Sequence, residues 1–143
     1  MSTKTTLEWT GGMSFDGVAN GHHITLDTDS KWGGQDQGPR PKPLLLLALS
    51  GCSGMDTVSL LEKMRVQNYK FKVDIEADST SDHPITYHTI RMDFRFWGED
   101  IPQDKVVKAV TMSIERYCGA HAMLSRSANI ISRIFINDEE VTK

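Results

Sequence analysis

Gly38-Pro39-Arg40-Pro41-Lys42-Pro43-Leu44-Leu45-Leu46-Leu47-Ala48-Leu49-Ser50-Gly51-Cys52-Ser53-Gly54-Met55-Asp56 is the stretch on which the fold turns. It predicts a helix from Leu44 to about Gln67, with Pro41 or Pro43 near the first turn, where a missing amide hydrogen costs little. The first half is apolar almost all round, so it has to be buried on most sides, by a sheet and by a second copy of itself. Ser50, Gly51, Ser53, Gly54 and Thr57 form a patch of small residues that permits close backbone approach. Each glycine there carries a helix-propensity cost of up to about 1 kcal/mol. After Met55 the pattern turns amphipathic, with Val58, Leu61 and Met64 opposite Ser59, Glu62 and Lys63.

Upstream, Leu7 to Thr10, Met13 to Ala19 and Ile24 to Asp27 are separated by Gly11-Gly12 and Asn20-Gly21, which are hairpin signals. They predict a three-stranded antiparallel opening. From Asp29 to Pro43 the Gly, Pro, Asp and Gln content and the lack of apolar period predict a loop. Downstream, Tyr69, Phe71, Val73, Ile75 and Ala77 alternate with charged residues, the two-residue period of a half-buried strand. After turn residues Ser79 to Pro84, Ile90, Met92, Phe94 and Phe96 repeat that alternation as the second arm of a hairpin with one wet face, ending at Gly98. Val106, Val107, Val110, Ile114 and Tyr117 follow Pro102 at helical spacing and predict a helix that breaks at Gly119. Ile130 to Ile136 reads as a last strand. This order predicts one α+β domain over residues 1–143, with antiparallel sheet.

Composition sets the remaining bounds. A chain of 143 residues can bury a substantial core without structural metals or disulfides. With 38% hydrophobic and 24% charged residues and a formal net charge of -3, it reads as a soluble globular protein with no general attraction to nucleic acid. Met1 to Thr10 lacks the apolar run of a signal peptide, so a cytoplasmic location is expected. Leu44 to Leu49 falls far short of the roughly 20 residues needed to span a bilayer, so no membrane is expected.

Cys52 and Cys118, about 66 positions apart, offer neither a zinc-ligand spacing nor a CxxC pair. No metal is expected. Either both are buried small residues, or they are chemically paired.

The leader Gly38 to Pro41, the Leu-rich turn, Gly51-Cys52 and Met55-Asp56 resemble the start of the central helix in the OsmC/Ohr family. Ser113-Ile114-Glu115-Arg116-Tyr117-Cys118 is similar to that family's second motif, at the end of a later helix. With the matching succession of elements, the resemblance covers about residues 7 to 137. It implies an OsmC-like fold in which antiparallel sheets wrap two central helices in an intertwined homodimer. It also implies a thiol peroxidase of organic hydroperoxides, with Cys52 attacking peroxide and Cys118 resolving the sulfenic acid. No bound cofactor is implied, only an external dithiol reductant of lipoyl or related type.

Cys52 lies well inside its helix, where the macrodipole does little for its pKa, and a nearby cation is needed. The family supplies an arginine held by a glutamate on the turn before the cysteine. Arg40 is the candidate here, with Arg91, Arg95 and Arg116 next in order. The glutamate falls at Pro43, where this chain departs from the pattern, since proline cannot orient a guanidinium. Glu115, three residues before Cys118, and Asp56, one turn beyond Cys52, are the carboxylates left for that task. His121 is a further candidate, as a Cys-His partner three residues after Cys118. His22, His23, His83 and His88 show no metal-ligand spacing and read as surface or core residues. An enzyme is the first expectation; a peroxide-sensing or apolar-ligand-binding protein on the same fold is the alternative.

Overall fold

Asn20 and Gly21 both adopt positive φ, 51° and 77°, the combination a two-residue hairpin turn requires and the one Asn-Gly supplies cheaply. They join β2 (Ser14–Ala19) to β3 (His22–Leu26), while Gly11-Gly12 leads from β1 (Thr5–Gly11) into β2. The three strands form the expected antiparallel sheet in the order β1-β2-β3. The loop after β3 contains one 3-10 turn, Ser30–Trp32. Buried Asp27 organises this loop by accepting backbone N–H bonds from Thr28 at 2.7 Å and from Gln35 and Gln37 at 3.2 Å. Those donors, Thr28 first, hold its carboxyl below the usual carboxylate range.

In the computed structural model, which describes residues 1–142, these elements belong to one compact unit, Met1–Leu46, and the chain from Leu47 onward to a second. The boundary falls within α1 (Pro41–Lys63), which starts at the first of the two prolines. α1 ends earlier than Gln67. The Arg65 amide bonds the Glu62 carbonyl at 3.0 Å and the Val66 amide the Leu61 carbonyl at 2.9 Å, with Arg65 at φ 60°. That is a Schellman cap. Glycine usually occupies its left-handed position; an arginine there leaves no stop signal in the sequence.

In the second unit, β4 (Lys70–Ser79) pairs antiparallel with β5 (Tyr87–Trp97), and Ile90, Met92, Phe94 and Phe96 are fully buried at alternate positions of β5. Each such side chain stabilises the fold by about 1.5–3 kcal/mol. Phe71 stacks on Phe96 with ring centroids 4.5 Å apart. On the other face Arg91 forks onto Asp78 with two 2.8 Å bonds, and Arg133 onto Asp93 with two of 2.9 Å. One ladder departs from the antiparallel expectation: β6 (Asn129–Ile136) runs parallel to β5. The intervening chain, α2 (Gln103–Met112), a π-wound turn (Ser113–Tyr117) and α3 (Gly119–Leu124), is the crossover that parallel pairing needs. A short β7 (Glu139–Val141) completes the sheet order β4-β5-β6-β7. It follows Asn137-Asp138, both at positive φ, a turn signal the sequence reading passed over.

α1 buries a single stripe in four-residue steps, Leu49, Ser53, Thr57 and Leu61. Leu47 and Met55 stay 67% and 77% exposed, and Val58 is exposed as well, although periodicity placed it with Leu61. At 23 residues, with a mean hydropathy of 1.6 over its most apolar window, α1 as a whole is long and apolar enough to cross a membrane by length and composition. Within the single chain 22% of that window is buried.

Candidate active site

Ser53 stands at the centre of the polar part of that stripe. Its carbonyl accepts hydrogen bonds from Thr57 Oγ1 at 2.8 Å and from Ser113 Oγ at 2.9 Å, and all three residues are fully buried. Its own hydroxyl donates to Cys118 Sγ at 3.2 Å. The π turn delivers Cys118 to this position. The Cys118 amide bonds the Ser113 carbonyl five residues back, at 2.8 Å, and Cys118 then leaves helical geometry, with φ -73° and ψ 103°. The break therefore falls one residue before Gly119. As N-cap of α3, Cys118 accepts the His121 amide on its sulfur at 3.3 Å.

Cys52 and Asp56, one turn apart on α1, complete the cluster: the two sulfurs and an Asp56 carboxylate oxygen all lie within 4.8 Å of one another. Both thiols are free; Cys118 is 3% exposed and Cys52 is partly open. Burial pushes the Cys118 thiol up, an effect that the donors Ser53 and His121 partly oppose and the adjoining Cys52 sulfur reinforces. Asp56 Oδ2 is buried without a hydrogen-bond partner.

The structure thus brings Cys52, Cys118 and Asp56 together. Glu115 is exposed on the π turn, and the helical spacing that was to align it with Cys118 is broken by that turn and by the extended Cys118 backbone. His121 reaches the sulfur through its backbone amide. Arg40, in the first unit, takes its carboxylates from its own loop: it is hydrogen-bonded to Asp36, lies 3.8 Å from Asp29, and donates to the Gly38 carbonyl at 3.3 Å. Arg91 and Arg95 are committed to carboxylates on the sheet, and Arg116 sits over the Tyr117 ring. Ser53 and Ser113 were missed as functional residues. Both stand in the two motifs, but a buried serine at a tight helix contact reads as a packing residue until its hydroxyl is seen to face sulfur.

Beside α1 runs an apolar groove of about 640 Å³, lined by Leu47, Gly51, Gly54, Met55, Val58 and Phe71 among others; neither cysteine lines it.

The sequence profile of OsmC-like protein matches residues 34–133, which take in the whole cluster. The chain belongs to the OsmC-like family. Protein YhfA of Escherichia coli K12 is 33% identical over 125 residues, covering 87% of this chain and 90% of YhfA. A hypothetical protein of Aquifex aeolicus VF5 superposes with a TM-score of 0.83 at 25% identity, covering 96% of this chain and 97% of that one. The organic hydroperoxide resistance protein OhrB of Bacillus subtilis has a TM-score of 0.62 at 12% identity, covering 94% and 98%, a likeness of fold. The α+β architecture expected for an OsmC-like chain is thereby established.

Proposed function

We propose that this OsmC-like protein is a thiol-dependent peroxidase that reduces organic hydroperoxides in the cytoplasm and works as a homodimer. The observation that carries the reading is the approach of the Cys52 and Cys118 sulfurs to within 4.8 Å, both free, with the second held by the Ser53 hydroxyl and the His121 amide. Cys52 is the more accessible thiol and Cys118 the buried one whose pKa is raised, which supports the order of attack. The Cys52 thiolate attacks the O–O bond, the leaving alkoxide takes a proton to become the alcohol, and Cys52 is left as a sulfenic acid. Cys118 displaces hydroxide from that sulfur, its proton leaving with the hydroxide as water, and a disulfide results. A small dithiol returns both sulfurs to thiols by exchange.

Arg40 supplies the cation in this reading. Asp36 and Asp29 orient its guanidinium, the task the family gives to the glutamate that Pro43 replaces. The exposed Leu47, Met55 and Val58 are covered by a second copy.

A second reading, a low-turnover peroxide sensor on the same fold, is favoured by Pro43. Steady reduction of cumene hydroperoxide with dihydrolipoate, abolished in Cys52→Ser, supports the enzyme. A single stoichiometric oxidation with no turnover contradicts it.

A further inference from the structure

The cluster has a property that disulfide chemistry does not use. Cys52 and Asp56 project from one turn of a rigid helix, Cys118 meets them from the cap of α3, and one ligating atom from each lies within 4.8 Å of the others. One oxygen of that carboxylate, Asp56 Oδ2, is buried without a hydrogen-bond donor among the described residues.

We propose that Cys52, Asp56 and Cys118 form a binding site for one thiophilic divalent cation of the zinc class. Two thiolates with one carboxylate are the donor set that soft-to-borderline cations select. Three protein ligands leave a fourth tetrahedral position for water or an incoming ligand. Metal–sulfur bonds of about 2.3 Å in a tetrahedral site place two sulfurs about 3.8 Å apart, so the cluster closes by no more than about 1 Å on binding. The Ser53 hydroxyl and the His121 amide, both donating to Cys118 Sγ, act as the outer donors that fix a ligand's orientation. Linear spacing hid the site, because its two cysteines are neighbours only in the folded chain.

The inference goes beyond peroxide reduction and does not depend on it, although it uses the same sulfurs. A bound cation and a Cys52–Cys118 disulfide exclude each other. Oxidation of the loaded site by a hydroperoxide takes two electrons from the two thiolates and two protons from solvent, and yields the disulfide, the alcohol, water and the freed cation.

The test is a titration of the reduced, full-length protein with Co²⁺ under anaerobic conditions, followed by displacement with Zn²⁺. One equivalent of Co²⁺ is expected to give a sulfur-to-metal charge-transfer band, with each single Cys→Ser variant keeping about half of it. Asp56→Asn is expected to keep the band but bind at least about tenfold more weakly, with Asp56→Glu recovering part of the loss. Circular dichroism of each variant separates lost binding from lost fold. Prior conversion to the disulfide abolishes binding. Absence of the band, or Co²⁺ affinity unchanged in folded Asp56→Asn and Asp56→Glu, overturns the proposal. Because no peroxide is present, the result stands apart from that of the turnover assay.

Discussion

The Ser53 hydroxyl donates a hydrogen bond to Cys118 Sγ at 3.2 Å, joining the central helix to a cysteine 65 residues later. A donor to sulfur favours the thiolate over the thiol, so this bond works against the burial that pushes the Cys118 pKa up. Ser53→Ala removes the donor and leaves the Ser53 carbonyl, with its bonds from Ser113 and Thr57, in place. The Cys118 titration is expected to move to higher pH, and stability to fall by about 1 kcal/mol. The pH dependence of Cys118 alkylation in a Cys52→Ser background measures the first effect; an unmoved profile contradicts it.

A second expectation concerns Arg40. If its guanidinium stabilises the charge that develops on peroxide oxygen, Arg40→Ala slows peroxide attack by roughly 10²-fold or more, and Arg40→Lys restores part of the rate. Asp36→Asn, which loosens the hold on the guanidinium, is expected to give a milder form of the same defect. Single-turnover peroxide reduction is the measurement. Wild-type rates in Arg40→Ala transfer the role to another cation.

Assembly is tested on the exposed face of α1. Leu47→Asp combined with Met55→Lys puts charge where 67% and 77% of each residue's surface is open, so the isolated chain tolerates it and a subunit interface does not. Sedimentation should give twice the 16.0 kDa subunit mass for the wild type and a monomer for the double variant. A monodisperse wild-type monomer at micromolar concentration removes the dimer.

The charged face of the second sheet is expected to set part of the acid stability. The Arg91 guanidinium, bidentate at 2.8 Å, holds the Asp78 carboxyl below the usual carboxylate range. A depressed folded pKa contributes stability that is fully present above the unfolded value, about 3.9, and lost as pH falls through the folded one. Asp78→Asn is therefore expected to flatten the decline in urea midpoint below about pH 4 while leaving the fold intact. An acid limb identical to wild type shows that other carboxylates carry it.

Much of this architecture was legible in the residues. Strict alternation in Phe71 to Ala77 and Ile90 to Phe96 marked the β4–β5 hairpin, and Asn20-Gly21 marked a turn that only those residues make easily. The misses have local causes. Arg65 at a left-handed cap position gave no stop signal, so α1 ends before its periodicity does. The π turn before Cys118 changes the face on which later residues emerge, which is why Glu115 was aligned with the sulfur by spacing that the backbone does not keep. Parallel pairing of β5 with β6 leaves no trace in either strand, because direction is set by the crossover between them. For the site, the two cysteines were legible from the motifs they sit in, whereas Ser53 and the unpartnered oxygen of Asp56 acquire meaning only from three-dimensional proximity.

The central claim, that Cys52 and Cys118 are a working redox pair, is tested most directly by treating the reduced protein with one equivalent of an organic hydroperoxide and following intact mass, free thiols and cysteine-linked peptides together. The account predicts loss of two hydrogens per chain, one alcohol released for two thiols consumed, and a single cross-link joining the Cys52 and Cys118 peptides. Gain of two oxygens on Cys52, with Cys118 still fully alkylatable, would contradict it.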